Sequence, residues 1–313
     1  MYNTALVYRS FGEPQTVLHA ETSVLAPLPA GQVRVRMRLA PVNASDLIPV
    51  TGAYRHRITL PTIAGYEGVG VVTETTESDA HLLGKRVLPL RGQGTWQQYV
   101  DCPAELAVPV PDDIDDTLAA RAYINPLAAQ MMLEHYPAHG QHVLVTAAGS
   151  DCAAYLAQWA RLQGAKSVTG IYRSAIHARR LAASGVIPLA DTDSAAITQA
   201  AGKAGVIYDA TGGTLADMLL QSMPETGQLI SYGLLSGQPF SIRRRLPAVH
   251  WFHVRNFLDA MTAEEWQQVF CTLWERLRAT PVSEVTLIDF QQWRQAITLY
   301  QTPGRIAKPL LAF

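Results

Sequence analysis

Charge is scarce in this chain. Only 16% of its 313 residues are Asp, Glu, Lys or Arg, against roughly a quarter in an average soluble protein. Fewer side chains therefore demand water, and part of the surface is free to be covered by a second subunit. What charge there is balances, 25 basic residues against 26 acidic ones. Such a chain has no long-range field to draw in nucleic acid or an anionic membrane. Cysteine is also short: Cys102, Cys152 and Cys271 stand far apart and none belongs to a CxxC pair. That excludes a disulfide framework and a four-ligand zinc ribbon. No apolar run approaches the ~18 residues that span a bilayer. Met1 leads straight into the strand-like Ala5-Leu6-Val7-Tyr8, without a basic stretch and apolar signal segment. A cytoplasmic protein of two domains is expected, because one ordinary core does not organise so long a chain.

Up to about residue 118 the sequence reads as short strands and turns. Val33-Arg34-Val35-Arg36-Met37-Arg38-Leu39 alternates apolar and basic residues with period two, the pattern of a strand with one wet face. Gly65 to Val72 is apolar and glycine-rich, as where a strand passes close to other backbone. Prolines recur from Pro27 to Pro111, which suits a small barrel better than helices.

Beyond this the character changes. Asn125-Pro126 opens a helical run, Asn being a good cap and Pro suited to the first turn. Strands are expected at 142–146, 168–172, 206–209 and 228–232, alternating with helices at 151–163, 174–184 and 214–223. That alternation predicts a parallel, doubly wound α/β sheet with helices on both faces. Phe252 to Phe257 reads as a further strand and Ala263 to Ala279 as a helix. A strand, a helix and a last strand (Lys308 to Leu311) close the sequence and are expected to return to the first domain.

The segment Val143 to Ala165 carries the strongest local signal. An apolar strand runs into a small-residue turn and then a helix, the arrangement that points backbone N–H groups at a pyrophosphate. Gly149, Ser150, Asp151, Cys152 and Ala153 fall in the phosphate loop, with Ala153 where a third small residue packs the helix on the sheet. The turn departs from G-x-G-x-x-G, and Asp151 would repel a diphosphate unless it turns away to cap the helix. About 20 residues past the turn, an NAD site needs an acid for the ribose 2′-hydroxyl. Arg173 stands there instead, followed by Arg179 and Arg180. A guanidinium suits a 2′-phosphate, which favours NADP(H); the plainer reading is a solvated basic helix start.

Several segments together resemble the zinc-independent medium-chain dehydrogenase/reductase family. Within it they resemble most the 2-enoyl thioester reductases of the mitochondrial fatty-acid-synthesis type, with quinone oxidoreductases close behind. They are VNASDLIPVTGAY (42–54), LPTIAGYEGVGVV (60–72), INPLAAQMML (124–133), the cofactor segment and GQLISYGLLSGQPFSI (227–242). The resemblance implies a GroES-like β-barrel catalytic domain, residues 1–118 and 280–313, around a doubly wound Rossmann NADP(H)-binding domain, residues 119–279. The nicotinamide would lie between them, and the protein would be a homodimer. Relatives that bind catalytic zinc carry His where this chain has Tyr66, and no metal site is expected here. Without a Lewis acid the zinc route of carbonyl–alcohol interconversion gives way to C=C or quinone reduction.

Reducing an activated C=C bond needs hydride at the β-carbon and a proton at the α-carbon. Tyr54 matches the tyrosine that enoyl thioester reductases place after a glycine in this loop, and is the candidate proton donor. The resemblance places Asn43 and Asp46 in a cleft-lining turn, where Asn43 would orient cofactor or substrate. Both are equally ordinary turn formers. It also implies that Gly233 lets the backbone approach the nicotinamide side and that Phe257 lies near that ring, a core role being the alternative. A threonine that the family often carries is replaced by Ala128, so one hydroxyl contact to the cofactor is missing. Arg243-Arg244-Arg245 could meet CoA or acyl-carrier phosphates, or form a solvated face. Three functions stand open: NADPH-dependent reduction of an enoyl thioester or enone, quinone reduction that does not need Tyr54, and non-catalytic NADPH binding.

Overall fold

The computed structural model describes residues 1–242 and 246–313. They form two compact units. One comprises Met1–Ile124, Met261–Ala279 and Ser283–Phe313; the other comprises Asn125–Ala260 and Thr280–Val282.

The first unit is built on antiparallel strands: β1 (Tyr2–Tyr8), β2 (Leu18–Val24), β3 (Gln32–Pro41), β4 (Thr62–Ile63), β5 (Val69–Thr75), β6 (Arg86–Leu88), β7 (Tyr99–Pro103) and β8 (Val108–Pro109). β1 lies between β2 and β4, while β3 pairs with β5 and β7. Val33, Val35 and Met37 of β3 point into the core, as the alternation predicts. The other face is less wet than expected. Arg34 is buried because Asp101 grips its Nε and Nη2 at 2.8 and 2.9 Å and Glu74 accepts from Nη1 at 2.7 Å.

The second unit holds a six-stranded parallel sheet. Its strands are β9 (His142–Val145), β10 (Ser167–Tyr172), β11 (Ile187–Ala190), β12 (Val206–Asp209), β13 (Gln228–Ser231) and β14 (Ala248–Trp251). The spatial order β11-β10-β9-β12-β13-β14 reverses between β9 and β12. In such a sheet ligands bind outside the carboxyl ends of the strands at that reversal. The inner strands read as unbroken apolar runs because both of their faces are covered.

β15 (Val285–Asp289) and β16 (Lys308–Ala312) return to the first unit, where β16 pairs antiparallel with β3. Three expectations need correction. The strand sought at 252–257 is β14, at 248–251; Phe252 and Phe257 stack on each other instead, 5.4 Å apart. β11 and the helix Ser194–Ala201 were not anticipated. The helix Ala263–Arg278, expected with the nucleotide-binding segment, belongs to the first unit, whose opening stretch runs on to Ile124 rather than 118. Trp266 Nε1 donates to Leu106 O at 2.9 Å and Asp113 chelates Arg278, tying that helix down.

Candidate functional site

In the first unit, chain leaving β3 turns at Asn43 into one helical turn, Ala44–Leu47. Asp46 fixes that turn: one carboxylate oxygen accepts from Asn43 N at 2.8 Å and the other from Tyr66 N at 3.0 Å. The loop continues to Gly52, at φ 90°, where a Cβ would stand 3.0 Å from that of Phe11. Only glycine takes that backbone without strain. Tyr54 follows and opens the 3₁₀ turn Arg55–Arg57, its carbonyl accepting from Arg57 N at 2.9 Å. Tyr54 is 38% exposed.

Beneath this loop lies a polar cluster that sequence reasoning missed. Asn43, Asp46, Glu67 and Lys308 are all at most 3% exposed. Asn43 Nδ2 donates to Glu67 Oε1 at 2.7 Å, and Lys308 Nζ donates to Asn43 Oδ1 at 2.5 Å. The other Glu67 oxygen accepts from Tyr123 N and Ile124 N at 3.0 and 2.7 Å, capping the helix Ile124–His135 from a distant segment. Asn125 is therefore inside the first turn and not its cap. Burial raises the carboxyls of Asp46 and Glu67; for Asp46 the neighbouring Glu67 charge adds to it and the value reaches about 7. The only signal in sequence was a carboxylate set among the glycines of GYEGVG.

In the second unit, β9 ends at the turn Thr146–Ser150. Ala147 takes φ 49°, and its carbonyl accepts from Ser150 N at 2.8 Å. Ser150 caps the helix Asp151–Leu162, its Oγ accepting from Ala153 N at 3.3 Å. Asp151 is thus the first helical residue and not the expected cap, a place where the helix dipole favours an acid. A Cβ on Gly149 would meet the His177 ring at 2.6 Å, so the loop can rest on that ring only with glycine there. Arg180 Nη2 donates to Gly149 O at 3.1 Å. Ala153 and Cys152 face inward. Burial, then Cys152 and Asp209, hold the Tyr232 phenol well above its ordinary range.

The tip of β10 lies beside this loop, since Ala148 N donates to Ile171 O at 2.9 Å. Two residues further on, Arg173 is exposed and meets no carboxylate among the described residues. Asp209, at the end of β12, holds the opposite side together through Thr146, Thr211 N and Gly212 N. Gly233 approaches Ala210 so closely that a Cβ would lie 3.0 Å from its carbonyl oxygen. Phe257 stacks on His135 at 4.5 Å as well as on Phe252. Arg243-Arg244-Arg245 lie outside the described residues. No three His, Cys, Asp or Glu side chains gather as metal ligands among those described.

Residues 29–112 match the alcohol dehydrogenase GroES-like domain. The human mitochondrial enoyl-[acyl-carrier-protein] reductase is 26% identical over 315 residues, covering 93% of this chain and 84% of that protein. A Bacillus thuringiensis structure assigned as an NADPH:quinone reductase superposes with a TM-score of 0.92 at 32% identity, over 100% of this chain and 99% of the other. The complex of Etr1p, the Candida tropicalis 2-enoyl thioester reductase, with NADP and crotonyl-CoA shares the fold, with a TM-score of 0.81, 18% identity and full coverage of both chains.

Proposed function

The chain belongs to the zinc-independent medium-chain dehydrogenase/reductases, and on that premise we propose that it is an NADPH-dependent oxidoreductase reducing the activated C=C bond of a 2-enoyl thioester or enone. The observation that carries the reading is the exposed Arg173, without a carboxylate partner, at the tip of β10 beside the Gly149–Ser150 turn. A helix N-terminus for a diphosphate and a guanidinium for a further phosphate are the donor set that NADPH fits and NADH does not fill.

NADPH, when bound, supplies the hydride that the β-carbon receives. The Gly149–Ala153 segment and Arg173 would hold its phosphates, and Gly233, where a Cβ would crowd Ala210, keeps side-chain atoms away from the end of β13. Tyr54 Oη would give its proton to the α-carbon. The Asp46 contacts to Asn43 N and Tyr66 N hold the start of the loop that presents it. The mitochondrial enoyl reductases and the Etr1p complex support this substrate class. The Bacillus thuringiensis likeness favours a quinone as acceptor, a reaction that does not need Tyr54.

Loss of nicotinamide absorbance with enals, enones, enoyl thioesters and quinones, for the wild type and Tyr54→Phe, separates the two. Enoyl turnover is expected to fall on the order of 10²-fold in the variant with quinone turnover unchanged. Turnover of quinones alone hands the assignment to quinone reduction, and enoyl turnover unaffected in the variant removes Tyr54 as the proton donor. We also read β14, one of the two edges of the parallel sheet and the one with Trp251 60% exposed, as the seam of a homodimer. Light scattering of Trp251→Glu tests this; a wild-type monomer rejects it.

A further inference from the structure

Arg9, Arg34, Arg38, Arg86 and Arg278 each meet a carboxylate oxygen between 2.5 and 2.9 Å. The turn directly after Tyr54 carries two arginines that do not. Arg55, His56 and Arg57 are consecutive, all exposed, and folded into one 3₁₀ turn. None has a carboxylate partner among the described residues. Arg55 Nε reaches only the Gly52 carbonyl, at 3.3 Å, and Arg57 Nε donates to His56 Nε2 at 3.1 Å, leaving both guanidinium forks free. The surrounding sequence supplies no counter-charge, since from Leu47 to Tyr66 there is no Asp or Glu. In a chain with a formal net charge of −1, this is a local cationic point beside the candidate proton donor.

We propose that the Arg55–His56–Arg57 turn docks the phosphate that ends the pantetheine arm of a thioester substrate. Coenzyme A and a phosphopantetheinylated carrier protein share that group. The inference rests on the enoyl-thioester reading and deepens it, by naming how the carrier of the acyl chain is recognised. Two guanidinium forks on one turn match the planar, paired hydrogen bonding that phosphate oxygens accept. Both forks face water and have no internal partner to give up, so a phosphate displaces only solvent. A quinone offers no anion to this turn and gains nothing from it.

The test compares kcat/KM with NADPH for crotonyl-CoA, a crotonyl carrier protein and crotonyl-pantetheine, which lacks the phosphate. The proteins are the wild type, Arg55→Ala/Arg57→Ala and Arg55→Lys/Arg57→Lys. We expect the alanine variant to lose about tenfold or more on the phosphate-bearing thioesters, mostly in KM. The lysine variant recovers much of that loss, crotonyl-pantetheine is turned over as before, and the Kd for NADPH is unmoved. A fall confined to crotonyl-CoA or to the carrier thioester supports the site and assigns its source. Equal loss on all three substrates, or no loss on any, overturns it while leaving thioester reduction standing. Wild-type protein that binds NADPH but reduces none of the three sinks the thioester reading and this inference with it.

Discussion

Thr146 donates its hydroxyl to the Asp209 carboxylate at 2.7 Å, joining the ends of β9 and β12 where the parallel sheet reverses its strand order. The same hydroxyl oxygen accepts from Ala210 N at 2.9 Å, and Asp209 also takes Thr211 N and Gly212 N at 3.0 and 2.9 Å. Both side chains are fully buried. Thr146→Val keeps the volume and removes the donor and acceptor, so a buried carboxylate oxygen and an N–H lose a partner. Urea unfolding should show a loss of about 1–3 kcal/mol. NADPH affinity should fall as well, because the turn proposed to hold its phosphates starts at this residue. Unchanged stability would mean that the two strand ends are held by sheet pairing alone.

Arg173 should decide which nicotinamide cofactor is accepted. Its guanidinium is exposed and uncommitted beside the phosphate turn. A charge-assisted contact to a 2′-phosphate contributes about 1.5–3 kcal/mol, or roughly 10- to 150-fold in Kd. Arg173→Ala is expected to weaken NADPH binding by that factor and leave NADH binding unchanged, as read by nicotinamide fluorescence. An equal loss for both would place Arg173 on the diphosphate instead.

The parallel sheet was legible because its inner strands are covered on both faces and stand out as apolar runs between helices. Val206–Asp209 falls where the sequence placed it. The edge was not legible. β11 contains Pro188 and starts exposed at Ile187, so it carries neither an apolar run nor a clean alternation. At Phe252 and Phe257 hydrophobicity misled, since those rings serve a stack and not a strand. The Tyr54 loop could be found from its local motif. The support beneath it could not, because Glu67 and Lys308 meet Asn43 from segments at opposite ends of the chain. Glu67 is marked only by the glycines around it, and Lys308 sits in no pattern that marks a buried charge. No periodicity reports a partner that only the tertiary fold supplies.

Asp46 should leave a mark on the pH dependence of stability. Burial, with the neighbouring Glu67 charge, raises its carboxyl to about 7, whereas an unfolded aspartate ionises near 4. Between those values the native protein binds more protons than the unfolded chain. The contribution of Asp46 is therefore fully present below about pH 4 and is lost as pH rises through about 7. Glu67, raised by the same burial, acts in the same direction. Urea melts across pH 5 to 8 should show the wild type losing stability relative to Asp46→Asn as pH rises. A difference that stays constant, or grows in favour of the wild type, would show Asp46 ionised throughout the range.

Lys308 is the cation of that buried cluster, 2% exposed, with its ammonium on Asn43 Oδ1 and its field on both Asp46 and Glu67. Removing one partner of a buried charged set leaves the others uncompensated, at a cost of about 3–5 kcal/mol. Lys308→Met retains most of the stem and deletes the charge, so its loss in a urea melt reads the electrostatics and not a cavity. Glu67→Gln should then act as a partial suppressor, because it removes one of the stranded negative charges while keeping a side chain that can reach the Ile124 N–H. The double variant is expected to be more stable than the sum of the two single losses by about 1–3 kcal/mol. Strict additivity would show that Lys308 fills space in the core of the first unit and that its charge is balanced elsewhere.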